Sequence, residues 1–173
     1  MAAQPWTRYK LQRKLFAIGE DFWIENDSGE AVFKVDGKAL SLRHKFLIED
    51  QGGAELLTVE SKLVALQPTM KIERQGQLYA TVTKALFTLF HQHYTIQVEG
   101  GPTYEAQGDI TNHEYEVMGN GAPVAQISRQ WFSIRDAYGV AVAPELDQAL
   151  IALILAAAVC IDEITERERE RNH

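Results

Sequence analysis

The run Ala149-Leu150-Ile151-Ala152-Leu153-Ile154-Leu155-Ala156-Ala157-Ala158-Val159-Cys160-Ile161 is 13 apolar residues long, the longest in the chain. How it is read decides the fold. A bilayer crossing takes about 20 such residues, so the run is expected to be a buried helix and not a membrane span. Upstream, Pro144 suits a first helical turn, and Glu145 and Asp147 would lie near the positive end of the dipole. These signals predict a central helix over about 145–163. A helix apolar on every face must be buried on every face. At ~1.5 Å per residue the run is roughly 20 Å long, about the height of a small barrel. Something must therefore surround it.

The rest of the chain supplies the wall. Ile24, Ile48, Ile72 and Ile96 fall at intervals of 24, and Val117 follows 21 residues later. After each comes glycine: Gly29, then Gly52 and Gly53, Gly76, Gly100 and Gly101, and finally Gly119 and Gly121. Glycine supplies the positive φ of tight hairpin turns. Around these turns the pattern has period two: Tyr94, Ile96 and Val98 alternate with Thr95, Gln97 and Glu99, as in a half-buried strand. Five hairpins follow, at Phe22–Asp36, Lys45–Glu60, Thr69–Leu86, His93–Ile110 and Glu114–Trp131. A strand at Arg8–Leu15 and another at Tyr138–Val142 bring the total to about twelve. Propeller blades would need four strands in about 40 residues, and these units have two in 24. A closed antiparallel barrel removes the exposed edges of such a meander. Twelve strands enclose more space than side chains alone fill, so the predicted fold is mainly β, with the barrel wrapped around the buried C-terminal helix.

Composition agrees with one domain. The chain has 173 residues, 46% hydrophobic and 24% charged, ordinary values for a globular protein. Residues 1–7 read as an N-terminal extension, 8–163 as the barrel domain and 164–173 as a charged tail, with Glu166–Arg171 a solvated helical extension. One cysteine, Cys160, excludes an intramolecular disulfide framework, and its apolar setting makes it a buried, inert thiol. The first residues lack a signal-peptide core, which points to a cytoplasmic location. Net charge is −7, and no nucleic-acid partner is expected. The charge is uneven: residues 1–90 carry 12 basic and 11 acidic groups, residues 91–173 carry 5 and 13. An anion-facing surface would thus come from the first half.

Local residues resemble the LURP-one-related family, a branch of the tubby-like barrels. The likeness rests on Phe22-Trp23-Ile24 with Gly29, on Phe33-Lys34-Val35-Asp36-Gly37-Lys38, and on Ser41-Leu42-Arg43 and Ile48-Glu49-Asp50. It continues through Gly108-Asp109, Ala125-x-Ile127-Ser128-Arg129-x-Trp131, Tyr138-x-Val140 and Ile161-Asp162, spanning about residues 8–163. The resemblance implies a tubby-like barrel in a non-enzymatic binding or regulatory role. Tubby proteins bind phosphoinositide head groups through basic surface residues. The resemblance assigns none of their lipid-binding residues to particular positions of this chain.

Motifs for chemistry are sparse. The phosphate-loop, dinucleotide, nucleophile-elbow, zincin and EF-hand patterns are all missing. His91 and His93, with His113, offer imidazoles that could hold zinc or copper, but they also suit a polar strand start, and no metal or other cofactor is predicted. Glu114 and Glu116 share an outward strand face beside inward Tyr115 and Val117, a solvated arrangement. Asp162, at the C-terminal side of the helix, calls for a cation such as Arg129 or Arg135. Asn26-Asp27-Ser28 matches a glycosylation sequon but reads as a turn.

The candidate anion or ligand site is basic. Lys34, Lys38, Arg43 and Lys45 lie within 12 residues, and Lys10, Arg13 and Lys14 sit on the first strand. Lysines and arginines near loops can hold a phosphate as point charges and bidentate forks, although strands also expose lysine for solubility. Trp6, Trp23, Phe87 and Phe90 would add contact with a membrane interface. The expected partner is an anionic phospholipid or membrane surface, bound peripherally. Most of the apolar segment Ala85–Phe90 reads as core; the alternative is a protein partner at an exposed apolar patch near Leu86–Phe90, with no small ligand.

Overall fold

The computed structural model describes residues 5–12, 22–36, 45–62, 67–86, 91–109, 114–128 and 137–171. Strand β1 (Thr7–Gln12) is followed by five hairpins: β2 (Phe22–Glu25) with β3 (Ala31–Asp36), β4 (Lys45–Asp50) with β5 (Glu55–Ser61), β6 (Thr69–Arg74) with β7 (Gln77–Lys84), β8 (His91–Val98) with β9 (Thr103–Asp109), and β10 (Glu114–Gly119) with β11 (Ala122–Ser128). Strand β12 (Ala137–Val142) pairs with both β11 and β1. All pairings are antiparallel between sequence neighbours, and the β12–β1 pair closes the twelve-stranded barrel. Among the described residues there is one helix, α1 (Gln148–Arg171), which follows β12. The predicted barrel with a core helix is the fold observed.

The 24-residue interval has a structural meaning. Ile24, Ile48, Ile72, Ile96 and Val117 all point inward and are buried, each on the first strand of its hairpin. Glycines with positive φ close the five turns, at Gly29, Gly53, Gly76, Gly100 and Gly121. The interval also carries β-bulges. In four of the five hairpins the register slips beside the repeated residue: at Ile24/Glu25, Ile48/Glu49, Ile72/Glu73 and Val117/Met118. Each slip leaves one extra apolar residue on the returning strand, namely Val32, Leu56, Tyr79 and Val124, and each of these packs against the core. A bulge bends its strand and re-aims a side chain. Here four of them turn apolar groups over the end of the barrel that carries the hairpin turns.

Helix α1 enters at that end. Ala143 N donates to Val124 O at 2.9 Å, just after β12. The start differs from the sequence expectation. Glu145 has a left-handed φ of 70°, which stops any helix begun at Pro144. Asp147 caps instead, its Oδ1 accepting from Leu150 N at 2.8 Å, the usual N-cap bond, so α1 begins at Gln148. Every residue from Ala152 to Ile161 is buried, Cys160 included. Gln148–Thr165 is long and apolar enough to cross a bilayer by length and composition, but 67% of it is buried inside the barrel. At the other end the helix continues beyond 163. Ile164 and Thr165 are buried, and Glu168 pairs with Lys84, so part of the expected solvated tail belongs to the packed structure.

Candidate functional site

Three of the seven basic candidates are described, and all lie on the outer face. Lys10 follows inward Tyr9, Lys34 lies between inward Phe33 and Val35, and Lys45 precedes inward Phe46. Period-two alternation fixes this placement. Each lysine also stands directly across from a glutamate: Lys10 from Glu25, Lys34 from Glu49, and Lys45 from Glu60. Glu60 in turn faces Lys71 on β6. The face is a ladder of alternating charge, and opposite-charge neighbours across strands contribute about 0.2–1 kcal/mol each. Arg13, Lys14, Lys38 and Arg43 lie outside the described residues.

What the ladder surrounds is an aromatic. Trp23 is 43% exposed and sits directly opposite Lys34. Two residues along β2, Glu25 faces Lys10. Trp6 is half-buried. Of the apolar segment, Leu86 is 51% exposed, while Phe87–Phe90 fall outside the described residues.

A second polar region gathers where α1 leaves the barrel. Lys84 has the parity of inward-facing Ala80 and Val82, which brings its ammonium to Glu168 on the helix and 6.0 Å from the Tyr94 ring centroid. Tyr94 is fully buried, and its hydroxyl lies 2.9 Å from Thr165 Oγ1. Burial pushes the Tyr94 phenol well above its ordinary pKa, with the Thr165 hydrogen bond opposing and the Tyr115, Glu168 and Asp162 charges adding to the rise. Beside it, the Tyr115 hydroxyl donates to Gln92 Oε1. A crevice of about 20 Å³ lies between α1 and this wall, lined by Tyr115, Ile127, Tyr138 and Asp162 among others. It has room for about one water molecule and no organic ligand. Arg129 and Arg135, the expected cations for Asp162, lie outside the described residues.

His93, Glu114 and Glu116 are on the outer wall. His93 contacts Glu105 Oε2, which also accepts from Thr95 Oγ1 at 3.2 Å. His113 and the His91 side chain fall outside the described residues, and among the described residues no three metal-ligating groups converge. Glu114 and Glu116 are exposed beside buried Tyr115 and Val117, and Glu114 accepts from Ser128 Oγ at 3.0 Å. Asn26 Oδ1 accepts from Ser28 N and Glu30 N, both at 3.0 Å, so Asn26-Asp27-Ser28 forms a turn.

Comparison with known families places this arrangement. The family model described as LURP-one-related matches residues 7–162. The chain belongs to the LURP-one-related family. An X-ray structure of a protein from Arabidopsis thaliana is similar to it, with 18% sequence identity, a TM-score of 0.64, and 93% of each chain covered; at that identity the likeness concerns the fold. No curated protein sequence matches the chain.

In this LURP-one-related domain the described residues also form a larger opening, at the turn end. Leu56, Leu57, Arg74, Tyr79, Gln148, Ala149 and Ala152 enclose about 110 Å³. Arg74 lies with its guanidinium carbon 5.7 Å from the Tyr79 ring centroid, within cation–π range. Sequence reading missed this place because Tyr79 and Leu56 are bulge residues. Period two alone assigns Tyr79 to the outer face.

Proposed function

We propose that this domain is a non-enzymatic binding module that docks peripherally on anionic phospholipid surfaces through the outer face of β1–β4. The observation that carries the reading is the exposed Trp23 side chain directly opposite Lys34. Tryptophan suits a membrane interface because its apolar body enters the head-group region while its N–H stays hydrated. Lys34 and Lys10 flank it as point charges for phosphate, each on a stem long enough to reach past its glutamate partner. The paired glutamates keep the local net charge small, so the lysines alone do not suffice, and binding needs both their contact with anionic head groups and the insertion of Trp23. Family membership favours a binding or regulatory role over catalysis.

Vesicle flotation tests this reading. The domain should float with phosphatidylcholine vesicles containing phosphatidylserine at low salt, remain behind with pure phosphatidylcholine, and lose most binding in Trp23→Ala. Absence of flotation at low salt refutes lipid docking. A protein partner is the second reading, favoured by Leu86, the most exposed large apolar side chain among the described residues. A partner captured by the wild type and released by Leu86→Asp, with no flotation of either, would establish it instead.

A further inference from the structure

We propose that the turn-end crevice is a binding site for a small monocarboxylate with an apolar body of about four carbons. Leu57 and Ala152 are buried and form its floor, while Leu56, Tyr79 and Ala149 are half-buried walls. The space exists for two local reasons. Leu56 and Tyr79 are the extra residues of the β5 and β7 bulges, so neither side chain follows the wall's alternation. Across from them, α1 presents Ala149 and Ala152, where its neighbours Leu150 and Leu153 are large. The volume of about 110 Å³ is below that of drug-sized pockets and a little under an apolar cavity that accepts benzene. It matches roughly four methylene-sized groups.

The rim selects the charge. Arg74 is exposed at the mouth, steadied over Tyr79. Among the described residues it makes no ion pair, and the adjacent Glu73 is engaged by Lys71 at 3.8 Å. The nearby Asp147 carboxylate is turned to Leu150 N as the helix cap. A guanidinium with free donors over an apolar floor suits a carboxylate with its chain pointing inward. It disfavours an amine. A single guanidinium suits one carboxylate better than two.

The site is separate from the docking face on β1–β4, so its failure leaves that reading intact. The test is an amide NMR titration of the full chain with three probes: butyrate, n-butanol and n-butylammonium. Butyrate should give saturable shifts at Gln148, Ala149, Ala152 and the Arg74 side chain, butanol should bind at least ~5-fold more weakly, and butylammonium should give none. Arg74→Met should weaken butyrate about 10-fold, the order expected for loss of a charge-assisted hydrogen bond, and leave butanol unchanged. Ala149→Leu should fill the crevice and abolish both. Absence of saturable shifts, or equal affinity for butyrate and butanol, overturns the proposal. Retained binding in Ala149→Leu would do the same. Should that variant fail to fold, the exposed Arg74→Met substitution decides alone.

Discussion

Deleting the hydroxyl of Tyr94 and deleting that of Thr165 should have unequal costs, although the two groups share one hydrogen bond. Thr165 donates its single proton to Ile161 O at 2.8 Å. Tyr94 is therefore the donor in the 2.9 Å contact with Thr165 Oγ1. Tyr94→Phe removes one net hydrogen bond and strands nothing that lacks another partner, a loss of about 1 kcal/mol. Thr165→Val keeps the branched shape but leaves the phenol, with no solvent exposure, without its acceptor. That costs the desolvation of a buried donor, about 1–3 kcal/mol. In the double variant neither group is stranded, so it should be no less stable than Thr165→Val alone, a coupling of about 1 kcal/mol. Urea unfolding of the four proteins measures this, with the slope constant across the set. Equal single costs that simply add would refute the reasoning, and with it the seating of α1 against β8.

Three other outcomes follow from the same structure. Burial raises the pKa of Tyr9, Tyr94 and Tyr104; a phenol that keeps its proton in the fold but releases it when unfolded stabilises the fold fully below about pH 10 and progressively less above it. Stability should fall by up to ~1.4 kcal/mol per pH unit per tyrosine, and Tyr94→Phe should flatten the slope of urea midpoints against alkaline pH. Gly108→Ala would place a Cβ 2.1 Å from Tyr115 Cδ1 and 2.6 Å from Glu114 O, costing about 3 kcal/mol or more. Gly29→Ala meets open space at φ 77° and should cost about 1 kcal/mol, so thermal unfolding of the pair should rank them in that order. Asp147→Ala removes the cap on Leu150 and should cost about 1 kcal/mol in the same measurement.

Much of the fold was legible because two signals agreed. The all-round apolar run demanded enclosure, and the 24-residue interval supplied hairpins enough to enclose it. Helix boundaries were less legible. Pro144 and Glu145 resemble a helix start, yet Asp147 offers a better cap, and the positive φ of Glu145 is a tertiary choice that composition does not display. The tail was misread for a similar reason: Glu166 to Arg171 alternates in charge like a solvated extension, and only strand parity shows that Lys84 turns inward to meet Glu168. The candidate site was legible in part. Outward placement of Lys10, Lys34 and Lys45 follows from alternation along each strand. Their glutamate partners follow from register, which depends on turn length and bulges. The crevice under Arg74 was hidden altogether, since bulges at Leu56 and Tyr79 break the period-two rule that would otherwise locate those side chains.

The docking face is tested most directly by paramagnetic broadening of backbone amides on vesicles that carry a spin-labelled head group. With anionic vesicles, broadening should be strongest at Trp23 and Lys34 and their neighbours on β2 and β3, absent with neutral vesicles, and lost in Trp23→Ala. Broadening centred on Leu86, or none with anionic vesicles at low salt, would contradict the account.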